Sequence, residues 1–393
     1  MEYVGHLHND MVHIRRDLHQ HPELLYDVIR TSGRVAELLE EYGVEVQRNV
    51  GKHFGMGVVG TLRGTAGDGS ESGPTILLRA DMDALPLTEK NEVDYKSLNE
   101  GVMHACGHDA HTAMLLGAAC TLAKFRHQIR GKVIFIFQPA EEGASRSPID
   151  GRLLSGGRDM IEAGILEGVD YCFALHVAPH LPVGTLGIHR HYAMAASSHF
   201  KVHFQGTGGH HSMPHQASDA IQMAARFITE VNGLMANQID PSESAVLAFG
   251  TLHAGTGINV IAEHSELAGT FRAFSKSTVN AITEGLHRHA SAIALAYGGQ
   301  YRMELREGIA VVNDESAVEQ LLEATQIILG PQNTLLLDQP SLAGEDFGWY
   351  LDRVPGAFAL SAVAIRNRVL SMAFISPILI LTRPYWFMVQ DYS

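Results

Sequence analysis

Apolar residues recur at helical spacing near the start of the chain: Met11, Ile14 and Leu18, then Val35, Leu38 and Leu39. That spacing predicts amphipathic helices, with Thr31 and Ser32 available as caps. The pattern then shortens. GMGVVGTLRG (55–64) and TILLRADMDAL (75–85) are aliphatic runs separated by the Gly/Ser-rich TAGDGSESG, which predicts strands around a loop. DAHTAMLLGAACTLAKF (109–125) has the Ala/Leu-rich composition of a buried helix. KVIFIFQPAEEG (132–143) is a continuous apolar run that stops abruptly at polar residues, as a parallel strand buried on both faces does where it reaches the sheet's C-terminal edge. YCFALHV (171–177) repeats the pattern, with His176 near its end. Strands alternating with helices predict an α/β layer with a mixed or mostly parallel sheet.

Around residue 185 the texture changes. HFKVHFQG, SAVLAFGTLHAG and HSELAGTFRAF alternate between apolar and polar positions, and ASDAIQMAARFITEVNGLMA and KSTVNAITEGLHRHASAIALAYG read as amphipathic helices. The expectation is an inserted α+β module over residues 187–302, flanked by an α/β domain made of 1–186 and 303–393, with a further helix at 314–328.

Composition narrows the function. The 393 residues hold 43 acidic and 29 basic side chains, a net charge of −14 that repels phosphate backbones and argues against nucleic acid as a partner. Three cysteines (Cys106, Cys120, Cys172) exclude a disulfide scaffold and fit a reducing compartment. Residues 1–23 lack the apolar core of an export signal, and FISPILILTRPYWFMV (374–389) is interrupted by Pro377, Arg383 and Pro384 and too short to span a bilayer. The expectation is a soluble cytoplasmic protein with no membrane partner. Histidine, at 23 residues, is over-represented and points to metal or acid–base chemistry.

Three clusters at predicted strand ends carry that chemistry. HACGHDAH (104–111) sets Cys106 and His108 two apart at the start of a helix, and thiolate with imidazole is a donor pair for zinc and similar metals, although so many histidines also produce close pairs by chance. Glu141 and Glu142 follow the strand VIFIFQPA; such a pair can be merely solvated, or can divide its labour, one carboxylate holding metal and the other taking a proton. A lone histidine like His176 is more often structural, but here it reaches the same sheet edge as the other two.

RADMDALP (79–86), HACGHDAH (104–111), FQPAEEG (137–143), ALHV (174–177), GTGGHHSMPH (206–215), GTGINVI (255–261), GTFR (269–272) and AGEDF (343–347) occur in this order. Together they resemble the amidohydrolase branch of the aminoacylase/carboxypeptidase metallopeptidase family, which includes hippurate hydrolases and indole-acetyl-amino-acid hydrolases. The resemblance covers about residues 10 to 358. It implies a mixed-sheet α/β catalytic domain of the zinc-exopeptidase kind and an inserted α+β ferredoxin-like dimerisation/lid domain. It implies two divalent metals per subunit (Zn, Mn, Co or Ni), with Cys106, His108, Glu142 and His176 as ligands and Glu141 as general base. Asp83 would orient a ligand from behind, His210 would polarise the scissile carbonyl in the partner subunit of a homodimer, and Asn259 and Arg272 would hold the substrate's α-carboxylate. The implied activity is hydrolysis of an N-acyl amino acid to a carboxylate and a free amino acid, with a dipeptidase or carboxypeptidase as the alternative.

This chain departs from the family at several positions. Thr207 stands where a lysine is usual and His199 where an acid is common. After Gly356 the family continues into an LHxP-containing segment whose histidine is the fifth ligand, whereas here His289 is the last histidine of the chain. The expectation is a weakened second metal site, with a catalytically impaired metal-binding protein as the alternative from another class.

Overall fold

The computed structural model describes residues 2–66 and 73–362; the tail on which the expectation of a missing fifth ligand partly rests, residues 363–393, lies outside the described residues. The chain divides into two compact units. One comprises Met1–Ala193, Val311–Pro340 and Asp346–Ser393, the other Met194–Ala310 and Ser341–Glu345.

The first unit is built on an eight-stranded mixed sheet. Its order is Glu45–Val50, Gly57–Arg63, Lys132–Gln138, Thr75–Asp81, Tyr171–Ala178, Gly356–Ala362, Leu186–His189 and Thr334–Leu337. The four strands from Lys132–Gln138 to Gly356–Ala362 run parallel, so Gln138, Asp81 and Ala178 all finish at one edge. These strands are predominantly apolar, with exceptions that include the charged or titratable Arg79, Asp81 and His176. Phe135 and Phe137 are fully buried, and each such side chain contributes ~1.5–3 kcal/mol. From Thr75–Asp81 the chain goes to a neighbour on one side (Lys132–Gln138) and later to one on the other (Tyr171–Ala178), which makes the crevice between them a switch point.

Helix His108–Lys124 packs on this sheet with Leu115, Leu116, Ala118, Ala119 and Leu122 in the core, in keeping with its apolar character on all sides. Helix Ile29–Glu41 begins earlier than expected, so that Thr31 and Ser32 lie inside it and do not cap it. Glu23 does: its carboxylate accepts from Arg30 N at 3.0 Å and Thr31 N at 2.8 Å. A carboxylate satisfies orphan donors and suits the positive helix end, and this one arrives from the turn before the helix, outside the reach of a cap motif.

The second unit follows a β-α-β-β-α-β order: Ala196–Gln205, Ala220–Asn237, Ala245–Ala254, His264–Ala273, Lys276–Ala296 and Gln300–Arg306. Its four strands are antiparallel, with His264–Ala273 and Ala196–Gln205 central. Alternate residues such as Phe200, Val202, Phe204, Leu267 and Phe271 are buried, in the period-2 pattern of a half-covered sheet. Strand Gln300–Arg306 pairs with Ala196–Gln205 along its length, so this unit continues past residue 302.

Candidate metal centre

The polar edge of the eight-stranded sheet gathers Asp81 and Asp83 from one strand end, Cys106 and His108 from the loop into helix His108–Lys124, Glu141 and Glu142 from the next strand end, and His176. Local sequence makes this possible. Gly107 has φ +95°, and a Cβ there would lie 2.4 Å from Val177 Cγ2, so only glycine lets the Cys106–His108 turn approach the His176 strand. Ala140 adopts φ +50°, an unusual conformation for a residue with a side chain, and its N–H and C=O are held by Leu25 O at 3.0 Å and Gly156 N at 2.9 Å. Asp83 then receives the backbone N–H groups of Glu141 at 2.9 Å and Glu142 at 3.2 Å, which fixes the start of both acidic residues.

Cys106 Sγ lies 3.2 Å from His176 Nε2, while His176 Nδ1 donates to Val177 O at 2.8 Å, leaving Nε2 as the basic nitrogen. His108 Nε2 stands 3.7 Å from Asp81 Oδ2, 3.8 Å from Glu142 Oε1 and 4.0 Å from Glu141 Oε2. His108 Nδ1 is 3.6 Å from Asp83 Oδ1. Both nitrogens of His108 and Oε1 of Glu142 are buried and take no hydrogen bond. Buried polar atoms without partners are costly, and a cation bound beside these would offset that cost. Cys106, His108 and His176 form one set of donor atoms within 4.8 Å of one another, and His108, Glu141 and Glu142 form another. Thiolate, imidazole and carboxylate together suit a borderline divalent metal, and these residues fit one.

The electrostatics agree. Burial works against a charged His108, but the carboxylates of Asp81 and Asp83 override it and hold its pKa well above the ordinary value. The space beside His108 therefore favours positive charge. Burial raises Cys106 to about 11, with His108 opposing, so this thiol becomes a strong donor only when a cation displaces its proton. Burial, with help from His111, pushes His176 down to about 3 and keeps it the neutral imidazole a metal requires. Burial also raises Glu142.

Residues outside the sequence-predicted set complete the edge. Arg79 is buried and donates to Asp81 Oδ2 at 2.7 Å, Asp346 Oδ1 at 2.8 Å and Gln138 Oε1 at 3.1 Å. Asp346, from the AGEDF motif, also accepts from Gly157 N at 2.9 Å, and its own N–H donates to Glu141 Oε1 at 3.2 Å. The available signal was Arg79 and Asp81 themselves, two charges on one face of a strand otherwise apolar, which burial tolerates only as partners.

The remaining predicted residues lie in the second unit. His210 is exposed in a two-residue ladder with Val260, and its Nδ1 is 2.7 Å from Ser212 Oγ. Asn259 adjoins the same ladder and accepts at its carbonyl from His211 N at 3.2 Å. Arg272 stands on strand His264–Ala273, opposite Ser197.

A family model described as peptidase family M20/M25/M40 matches residues 77–367. Among curated relatives, thermostable carboxypeptidase 1 of Saccharolobus solfataricus is 37% identical over 91% of this chain and 88% of its own length. N-acetylcysteine deacetylase of Bacillus subtilis is 35% identical over 89% and 87%. Among solved structures, a dinuclear metal-binding M20 peptidase from Bacillus subtilis superposes with a TM-score of 0.74 at 33% identity, covering 95% of both chains. A protein from methicillin-resistant Staphylococcus aureus gives 0.84 at 32% identity, covering 96% of both.

Proposed function

The chain belongs to the M20/M25/M40 peptidase family of metal-dependent amide hydrolases, and from that premise we propose that it cleaves N-acyl amino acids to a carboxylate and a free amino acid. The observation that carries this reading is the unequal pair Glu141 and Glu142. Glu142 turns an unpartnered oxygen toward His108, as a ligand would, whereas Glu141 receives the Asp346 N–H and is held beside the same space. Cys106, His108, Glu142 and His176 would hold the metal, which when bound supplies Lewis acidity toward a carbonyl oxygen and acidifies water. Glu141 takes the proton of the attacking water and returns it to the leaving amine.

In the second unit, Asn259 and Arg272 are assigned to the substrate's α-carboxylate. Arg272 shares its sheet with Arg306, which stands directly opposite His199, and among the described residues neither arginine has a carboxylate partner. Uncompensated guanidinium groups suit a carboxylate ligand. His210 is assigned to polarising the scissile carbonyl across a homodimer.

A second reading, carboxypeptidase action, draws on the name of the Saccharolobus relative. The test is turnover of N-acetyl and N-benzoyl amino acids against dipeptides and N-blocked dipeptides at defined Mn²⁺ and Zn²⁺. Release of free amino acid from the acylated substrates alone is the expected result. Preference for the blocked dipeptides would select the second reading, and no turnover of any amide would overturn both.

A further inference from the structure

His108 and His111 share one short motif, yet the structure gives them different surroundings. His108 keeps both ring nitrogens free of hydrogen bonds, as a ligand-to-be would. His111, one turn further along the helix, has both committed. Its Nε2 accepts the backbone N–H of Val177 at 2.9 Å. A peptide N–H can only donate, so Nε2 carries no proton and Nδ1 does, donating it to Asp81 Oδ1 at 2.6 Å. Both in-plane positions of the ring are thereby filled. Although Asp81, His108 and His111 place donor atoms within 4.8 Å of one another, His111 has no lone pair left for a metal.

What the ring does instead is join three elements. Asp81 ends strand Thr75–Asp81, His111 lies in the first turn of helix His108–Lys124, and Val177 follows His176 on its strand. The Val177 N–H goes to His111 and the Val177 carbonyl receives His176 Nδ1–H at 2.8 Å, so one residue's backbone connects the two imidazoles. Their centroids are 4.5 Å apart, edge to face. The bridge has a firm base, because the other oxygen of Asp81 is held by buried Arg79. It also has little slack, since Val177 packs where a Cβ on Gly107 would be.

We propose that His111 is a positioning residue: as the Nδ1–H tautomer it sets the Val177 peptide, and through it the orientation of His176 relative to Cys106 and His108, for metal binding. This rests on the reading of Cys106, His108, Glu142 and His176 as ligands. Hydrogen-bonding partners behind a ligand are typically worth ~10–100-fold in metal affinity.

The test is equilibrium binding of Zn²⁺ and Co²⁺ to the 393-residue chain by competition with a chromophoric chelator, alongside the Co²⁺ absorption spectrum and a thermal melt. His111→Leu removes both bonds. His111→Gln can accept from Val177 with its oxygen and donate to Asp81 with its amide. The expected result is affinity ~10–100-fold weaker and an altered Co²⁺ spectrum in His111→Leu, with affinity and spectrum largely restored in His111→Gln. Unchanged affinity in folded His111→Leu overturns the proposal. So does a folded His111→Gln that is as weak as a packing defect would make it, and this second variant decides the matter alone if His111→Leu does not fold. Cys106→Ser and His176→Ala separate the two levels: if they bind metal like the parent, the ligand reading fails, and if they lose metal while His111→Leu keeps it, only the positioning role fails.

Discussion

His111 with Asp81 in the first unit, and His203 with Glu266 in the second, are both histidine–carboxylate pairs that join neighbouring elements, a helix and a strand in the first case and two paired strands in the second. The first pair is 2.6 Å apart, with side chains 2% and 0% exposed. The second is 3.3 Å apart, with side chains 27% and 35% exposed, and Glu266 is shared with Lys201 at 3.2 Å. Chemistry alone does not distinguish them. Below the sheet edge of the first unit, an unmatched charge has no water to fall back on, so every partner is selected and each group's protonation is set by its neighbours. On the open face of the second unit, water competes for the same groups, and the pair adds little to stability. The contrast explains why candidate metal chemistry gathers in one place although histidines are spread over both units.

The largest expected effect tests whether the buried edge is where catalysis occurs. Glu141→Gln keeps the size of the side chain and the Asp346 contact but removes the base, so hydrolysis should fall by ~10²–10⁴-fold while metal content is retained. Retention of more than about a tenth of parent turnover would remove Glu141 from the role of base. If His210 acts in the partner subunit as proposed, adding His210→Ala protein to Glu141→Gln protein should restore part of the activity. No recovery after verified subunit exchange would remove that role from His210.

Next in size is the charge network itself. Arg79→Met leaves Asp81 and Asp346 buried without their common partner, and breaking a buried pair in this way costs ~3–5 kcal/mol. A shift of the urea midpoint equivalent to less than about 1 kcal/mol would mean that this edge behaves like an exposed surface.

A pH-dependent contribution of intermediate size comes from His19, near the end of helix Glu2–Gln20. His19 lies between Asp109 at 2.7 Å and Glu89 at 3.2 Å. Burial lowers its pKa, but the bonds to Asp109 and Glu89 outweigh this and the net shift is upward. A raised folded pKa stabilises the fold in full below the unfolded value of about 6.5, and that stabilisation is lost as pH rises through the folded value. The stability gap between the parent and His19→Gln should therefore be wider at pH 6 than at pH 9. Equal gaps at both pH values would show that His19 is neutral in its site.

The smallest effect belongs to the open face. Glu266→Ala should cost no more than ~1 kcal/mol, and the cost should shrink with added salt. A loss above about 2 kcal/mol would break the comparison by showing that this pair is not solvent-screened.

Local pattern was enough for the elements and for the ligand-type residues. Apolar runs marked three of the four parallel strands, alternation marked the second unit, and abrupt polar ends marked the edge where Cys106, His108, Glu141, Glu142 and His176 assemble, whereas strand Gly356–Ala362, where the sequence was expected to depart from the family, was not foreseen. These are short-range signals, because a strand's burial and its period are written in adjacent residues. What tertiary structure alone decided is which of several like residues does what. His108 and His111 sit three apart on one helix, and nothing in their spacing says that one is left without partners while the other is saturated. That depends on Val177, 66 residues away from His111. Likewise, Asp83 serves the Glu141 and Glu142 backbone, Asp346 reaches Arg79 from the far end of the chain, and Glu23 rather than Thr31 caps its helix. The physical reason is the same in each case. A buried polar atom must find a partner wherever the fold brings one, and that partner is chosen by proximity in space rather than by position in the sequence.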